Sequence, residues 1–183
     1  MIDALDHIDR WLFLCINGSY AKWIDGVMIF FSWKYTFVIY LPVLAYGWFK
    51  VGQRKAGFAL LAMLLSFALA DSISSRIFKP TFERFRPCHN PEIQSLVRVV
   101  DHCGGSYGFV SSHAANHAAL AFCIFTYLGM FEPRYRKWVF GLPILIAYSR
   151  VYLGVHYPGD VLIGGLLGLA IAWGVCKLLG KWW

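Results

Sequence analysis

Charged side chains are scarce in this chain, making up 15% of its 183 residues, whereas a soluble domain usually carries roughly 25%. Hydrophobic residues reach 58% and aromatic residues 18%, so lipid rather than water is expected to cover much of the surface. Also missing are an internal repeat, a low-complexity tract, and a basic start followed by an unbroken apolar run. Their absence argues against a solenoid, a disordered chain and a cleaved leader. The chain is too short for two ordinary soluble domains but has room for about five membrane spans of roughly 20 residues each. The expectation is a single integral membrane domain over residues 1–183.

Acidic residues are the scarcer charge, leaving a net charge of +7. Eight of the seventeen basic residues fall in three clusters: Lys50, Arg54 and Lys55; Arg134, Arg136 and Lys137; Lys177 and Lys181. Only Glu132 opposes them, so these flanks carry the whole net charge. They border apolar stretches, as the positive-inside rule expects of cytoplasmic segments. A nucleic-acid partner would need a continuous basic face, and none is present.

Residues 1–33 mix aromatic side chains with Asp3, Asp6, Asp9, Arg10, Lys22 and Asp25. Ile2, Leu5, Ile8 and Leu12 recur at helical spacing opposite the acids, which predicts one or two amphipathic helices in the membrane interface. Five apolar windows follow, at 35–49, 56–78, 112–131, 138–154 and 161–179. The fold class expected is all-α, a polytopic membrane bundle of five to six helices. Asp71, Arg76, Lys79, Arg150 and Asp160 sit toward the ends of these windows. A charge at a helix centre costs roughly 2.5–3.5 kcal/mol on insertion scales, so they are expected to line a shared polar pocket. Alternation of spans puts residues 79–111 outside the cytoplasm. Lys79, Arg84, Arg86 and Arg98 there break the positive-inside pattern, and an anionic ligand would account for them.

Cys88 and Cys103 lie in that same loop without the paired short spacing of a zinc site. An oxidising compartment would permit a disulfide between them, favoured here over two free thiols. Cys15, Cys123 and Cys176 sit in apolar runs and are expected to be buried small hydrophobes.

Three stretches carry chemistry. In Lys79-Pro-Thr-Phe-Glu-Arg-Phe-Arg86-Pro87 a lysine and an arginine are bracketed by prolines. Pro80 suits the start of a short helix and Pro87 disfavours helix at Arg86; a basic loop touching lipid headgroups is the plain alternative. In Tyr107-Gly-Phe-Val-Ser111-Ser112-His113-Ala-Ala-Asn116-His117, Ser111 and Ser112 are natural N-caps of an apolar helix, whose N–H groups form an anion site. His113 and His117 stand at the i,i+4 spacing of a zinc pair, but Ala114 occupies the place of the glutamate that a metalloprotease requires. In Ser149-Arg150-Val-Tyr-Leu-Gly-Val-His156-Tyr-Pro158-Gly-Asp160, Pro158 opens a helix just after His156. A carboxylate four residues on can then bond one ring nitrogen and leave the other free to attack. Together the three describe a phosphoryl pocket, with cations for the oxygens, a nucleophile and an acid.

These stretches resemble the type 2 phosphatidic acid phosphatase family, whose pocket is related to that of the vanadium haloperoxidases. The first and third motifs match Lys-x6-Arg-Pro and Ser-Arg-x5-His-x3-Asp in full. The second departs from Pro-Ser-Gly-His, with Val110 for the proline and Ser112 for the glycine. The resemblance spans about residues 35–180 and implies a six-helix membrane enzyme that works through a phosphohistidine without metal or other cofactor. By matching position, His156 is the nucleophile, Asp160 its orienting partner, and His113 the acid and then the base. Lys79, Arg86, Ser111, Arg150 and the backbone N–H of Ser112 bind phosphoryl oxygens. The substrate implied is a membrane lipid phosphate at the extracytoplasmic face of the cytoplasmic (inner) membrane, with undecaprenyl pyrophosphate foremost. Lipid A and phosphatidylglycerophosphate are the alternatives. A non-catalytic protein that binds anionic lipid would not need the His–Asp pair, and the composition excludes a soluble haloperoxidase-like enzyme.

Overall fold

The computed structural model describes residues 2–180, with side chains from residue 4 onward. Lys181 of the third basic cluster, and the side chains of Ile2 and Asp3, lie outside these described residues. Each of the five apolar windows becomes a helix, and two more helices precede them. The order is α1 (Ile2–Gly18), α2 (Lys22–Ser32), α3 (Leu41–Val51), α4 (Gln53–Phe82), α5 (Ser112–Leu128), α6 (Gly141–Tyr152) and α7 (Pro158–Leu179). Short 3-10 turns, Thr36–Tyr40 and Arg136–Phe140, lead into α3 and α6. The fold is all-α and that of an integral membrane protein. α4 and α7 are long and apolar enough to cross a membrane on their own. α2 and the helical stretch 36–51 together meet the same test but are bent by 75°.

Small residues decide how the bundle closes. Between lipid-bathed helices there is little hydrophobic drive, so backbone proximity matters most. α5 packs chiefly against α7 and α4. A Cβ on Gly164 would stand 2.6 Å from the carbonyl oxygen of Ser111, and one on Gly168 would overlap that of Ala115. These two glycines let the first turn of α5 lie against the second and third turns of α7. Ala59, Ala62, Ala70, Ala115 and Ala119 line the same core, and Tyr127, Ile124 and Tyr40 fill it.

α4 is not regular throughout. Residues Ile73–Phe78 take the wider π-helical turn, and Lys79–Phe82 continue the helix. Pro80 therefore sits within a continuing helix rather than opening a separate one. Its ring lacks the N–H that an α-helical turn would need, and a wide turn is one way to accommodate that. Arg76 is exposed on this segment and does not join the polar pocket expected of it.

α1 turns its polar face inward. Leu5, Ile8 and Leu12 are exposed, while Phe13 and Asn17 are buried; Cys15, expected to be buried, is exposed on the lipid-facing stripe with them. Asn17 Nδ2 donates to the carbonyls of Arg98 (2.9 Å) and Tyr152 (2.8 Å), tying α1 to the long loop and to the end of α6. An apolar stripe facing out and acids facing in suits a helix whose surroundings are lipid.

Candidate active site

The end of α4, the start of α5, the end of α6 and the start of α7 meet at one end of the bundle. The basic residues 50–55, 134–137 and Lys177 belong to the other end. Where the ends of α4 and α6 meet the starts of α5 and α7, a cavity of about 320 Å³ opens, lined by Lys79, Arg86, Ser112, His113, Arg150 and His156, with Asp71, Ser75 and the loop residues His102, Cys103 and Gly104. The three sequence stretches thus supply one site.

His156 reaches it from the short connection 153–157. Gly154, at φ +84°, makes the left-handed turn that carries the chain off α6. Tyr157 then caps α7, and the Asp160 carboxylate accepts the Tyr157 N–H at 3.0 Å. The same oxygen, Oδ2, lies 3.4 Å from Nδ1 of His156. On the other side of the ring, Arg86 Nη1 stands 3.3 Å from Nε2. A guanidinium has no lone pair to offer, so Nε2 accepts and the proton sits on Nδ1, toward the carboxylate. Burial first, then the charges of Arg86, Arg150 and Lys79, hold the imidazole well below its ordinary pKa. His156 is accordingly neutral, with its lone pair aimed at the cationic side of the cavity.

Arg86 is placed by the loop itself. Its backbone N–H donates to the Ser106 carbonyl (2.9 Å), Gly108 N–H donates to the Arg84 carbonyl (2.8 Å), and Phe85 pairs antiparallel with Tyr107. Arg86 Nε donates to the Tyr107 carbonyl at 3.3 Å. Burial lowers the Arg86 pKa while Asp160 opposes that. Cys88 and Cys103 are joined as a disulfide, with Cα atoms 6.2 Å apart, and close the loop beside Arg86.

The serines behave unlike simple caps. Ser111 occupies the N-cap position of α5, yet its side chain makes no capping bond. Its hydroxyl is fully buried and has no hydrogen-bond partner among the described residues. Ser112 lines the cavity and accepts a bond from the Ser74 hydroxyl at 2.9 Å, so its side chain is drawn against α4. His113 lines the cavity. His117, one turn on, is buried with its ring centroid 6.0 Å from that of Tyr40.

Two loop cations do not point to a ligand. Arg84 pairs with Asp6, Asp9 and Asp160, and Arg98 pairs with Asp25. An anionic ligand is therefore not needed to account for Arg84 and Arg98, whereas Lys79 and Arg86 line the cavity. The acids they meet lie 73–78 residues away for the N-terminal partners, beyond any local pattern. Asp160 is likewise fully buried behind His156 rather than lining the cavity. Asn116 was not singled out by the sequence; its Nδ2 donates to Asp71 at 3.0 Å. Its position one turn after His113 was the available signal.

The model of the PAP2 superfamily matches residues 58–183. A lipid A 4'-phosphatase of Porphyromonas gingivalis is 37% identical over 93% of this chain and 72% of its own length. An undecaprenyl-diphosphatase of Sulfolobus acidocaldarius is 29% identical over 86% of this chain and 71% of its own. The crystal structure of a transmembrane PAP2-type phosphatidylglycerolphosphate phosphatase from Bacillus subtilis superposes with a TM-score of 0.76 at 25% identity, covering 97% of this chain and 87% of that one.

Proposed function

The chain belongs to the PAP2 superfamily and is a lipid phosphatase, and on that footing we propose that it cleaves a lipid phosphate through a phosphohistidine on His156. The observation that carries this reading is the orientation of His156, with Nδ1 toward Asp160 and Nε2 toward Arg86 in the cavity. Nε2 attacks phosphorus, and the bond from phosphorus to the lipid oxygen breaks as His113 gives that oxygen a proton. His113 then takes a proton from water, which attacks the phosphohistidine and releases inorganic phosphate. Lys79, Arg86 and Arg150 balance the charge on the equatorial oxygens, the task a metal performs in other phosphatases. The Ser111 hydroxyl and the Ser112 N–H supply further donors.

Among substrates we favour the phosphomonoester of a lipid A-type glycolipid, supported by the 37% identity to the Porphyromonas enzyme of that name. The prenyl pyrophosphate expected from the sequence stands second, supported by the Sulfolobus relative. We place the protein in the cytoplasmic (inner) membrane with the cavity at its extracytoplasmic face, because the basic flanks belong at the opposite end. Phosphate release by the detergent-purified protein from lipid A, undecaprenyl pyrophosphate and phosphatidylglycerophosphate separates the choices. The reading predicts the highest kcat/KM on lipid A and loss of all turnover in His156→Ala. Preference for undecaprenyl pyrophosphate would replace the substrate while leaving the chemistry.

A further inference from the structure

Arg84 stands outside the cavity, yet it holds the carboxylate behind the nucleophile. Its Nη1 donates to Asp160 Oδ1 at 2.7 Å, the oxygen that His156 does not use. Its Nη2 donates to Asp6 Oδ1 at 2.9 Å and to Asp9 Oδ2 at 2.8 Å, both on α1. The guanidinium also lies over the Tyr157 ring, 4.2 Å from its centroid. Burial alone would lower the Arg84 pKa, but Asp160 and Asp9 hold it above its ordinary value, so it is a permanent cation here.

Asp9 doubles the link. While Oδ2 takes Arg84, Oδ1 accepts the Gly159 N–H at 2.7 Å, in the first turn of the helix that carries Asp160. A Cβ on Gly159 would stand 2.7 Å from Asp9 Oδ2, so any side chain there would push the Asp9 carboxylate away from this position. One oxygen of Asp160 thus answers to α1 through Arg84, and the other to His156 and the Tyr157 N–H.

We propose that Arg84, braced by Asp6 and Asp9, is a positioning residue for the His156–Asp160 pair, making α1 part of the catalytic apparatus although it contributes nothing to the described cavity lining. The inference rests on His156 being the nucleophile. A carboxylate fixed at one oxygen cannot rotate away from the imidazole, so the Nδ1–H tautomer and the aim of Nε2 are kept through the reaction. Release of Arg84 leaves the phosphate-binding cations in place but loosens the nucleophile. Misplacement of a reacting group by about 1 Å can cost on the order of 10²-fold in rate.

Turnover of one lipid phosphate by full-length Arg84→Ala, Arg84→Lys, Asp9→Asn and His156→Ala, each purified in detergent, tests this. Arg84→Ala is expected to lose about 10²-fold in kcat with KM within roughly threefold. Arg84→Lys should recover part of that loss, since one ammonium can bond Asp160 but cannot span both sides as a guanidinium does. Asp9→Asn should lower kcat in the same direction, and the double variant Arg84→Ala/Asp9→Asn should be no worse than Arg84→Ala alone. Inhibition by inorganic phosphate should stay unchanged in all three. Wild-type kcat in Asp9→Asn and Arg84→Lys, or a rise in KM with kcat preserved, would overturn the inference. So would losses that merely follow the fraction of unfolded protein, read by thermal melting of each variant. Turnover surviving in His156→Ala would instead remove the nucleophile assignment, and the inference with it.

Discussion

Arg86 donates from Nη1 to Nε2 of His156 across 3.3 Å, putting a cation on the ring nitrogen that attacks phosphorus in the proposed reaction. Before substrate arrives this bond holds the imidazole in the Nδ1–H tautomer. When a phosphate enters, its oxygens compete for the guanidinium and uncover the lone pair. Arg86→Ala should therefore lose both roles, with kcat/KM falling about 10²–10³-fold, the range for removing one donor from a developing oxyanion. Vanadate, which mimics the five-coordinate phosphorus, should inhibit that variant more weakly. Inhibition equal to the wild type would separate Arg86 from the phosphoryl oxygens.

His113 is expected to matter in proportion to the basicity of the leaving oxygen. His113→Ala should lose much more activity on a lipid phosphate, whose alkoxide needs a proton, than on an aryl phosphate whose phenolate does not. Side-by-side kcat values for the two substrates check this, and equal losses would count against the acid role.

The histidine pair His113 and His117 separates two chemistries. Activity should survive exhaustive EDTA treatment, and His117→Ala should be mild because that ring is buried beside Tyr40 rather than lining the cavity. Loss of turnover with EDTA and recovery with zinc would favour a metal site.

Stability should carry the signature of His156. Its folded pKa lies well below the ordinary value, and the side chain is buried. The unfolded chain takes up a proton near pH 6.5 and the native protein does not, so the contribution is present above that pH and is lost as pH falls below it. The slope is about 1.4 kcal/mol per pH unit from this one group. Thermal melting in detergent between pH 7.5 and 5.5 should fall less steeply in His156→Gln than in the wild type.

The orientation of the cavity can be read by labelling. In a background lacking the exposed Cys15, Gln94→Cys should react with an impermeant maleimide in intact cells, or in spheroplasts where an outer membrane intervenes. Gln53→Cys, between Lys50 and Arg54, should react only after lysis. The reverse pattern would place the site at the cytoplasmic face.

Much of the site is local in sequence and could be read there. His156 and Asp160 share a turn at a helix start, Lys79 and Arg86 bracket one short segment, and Ser111 to His113 open an apolar helix. The five apolar windows mark five helices because each is bounded by glycine or charge, except at Ser111, where a serine precedes the helix. What escaped was long-range. Arg84 and Arg86 are two residues apart in a basic loop, yet one faces the cavity and the other meets acids from α1. The amphipathic pattern of α1 was visible, but not that Asp6 and Asp9 face protein. Nor does spacing reveal that Gly164 and Gly168 meet the backbone of α5, since a glycine in an apolar run reads equally as flexibility or contact. Ser111 illustrates the same limit, because a serine before a helix suggests a cap, whereas its hydroxyl is left without a partner among the described residues.

The account stands most directly on a covalent phosphate at His156. Rapid quenching of enzyme with a ³²P-labelled phosphomonoester should trap label that survives alkali and is lost in acid, as a phosphoramidate bond requires, and peptide mapping should place it on the segment containing His156. Slowing hydrolysis through His113→Ala, with an aryl phosphate to permit the first step, should increase the trapped fraction, and His156→Ala should abolish it. Label on any other residue, or full turnover by His156→Ala, would contradict the mechanism.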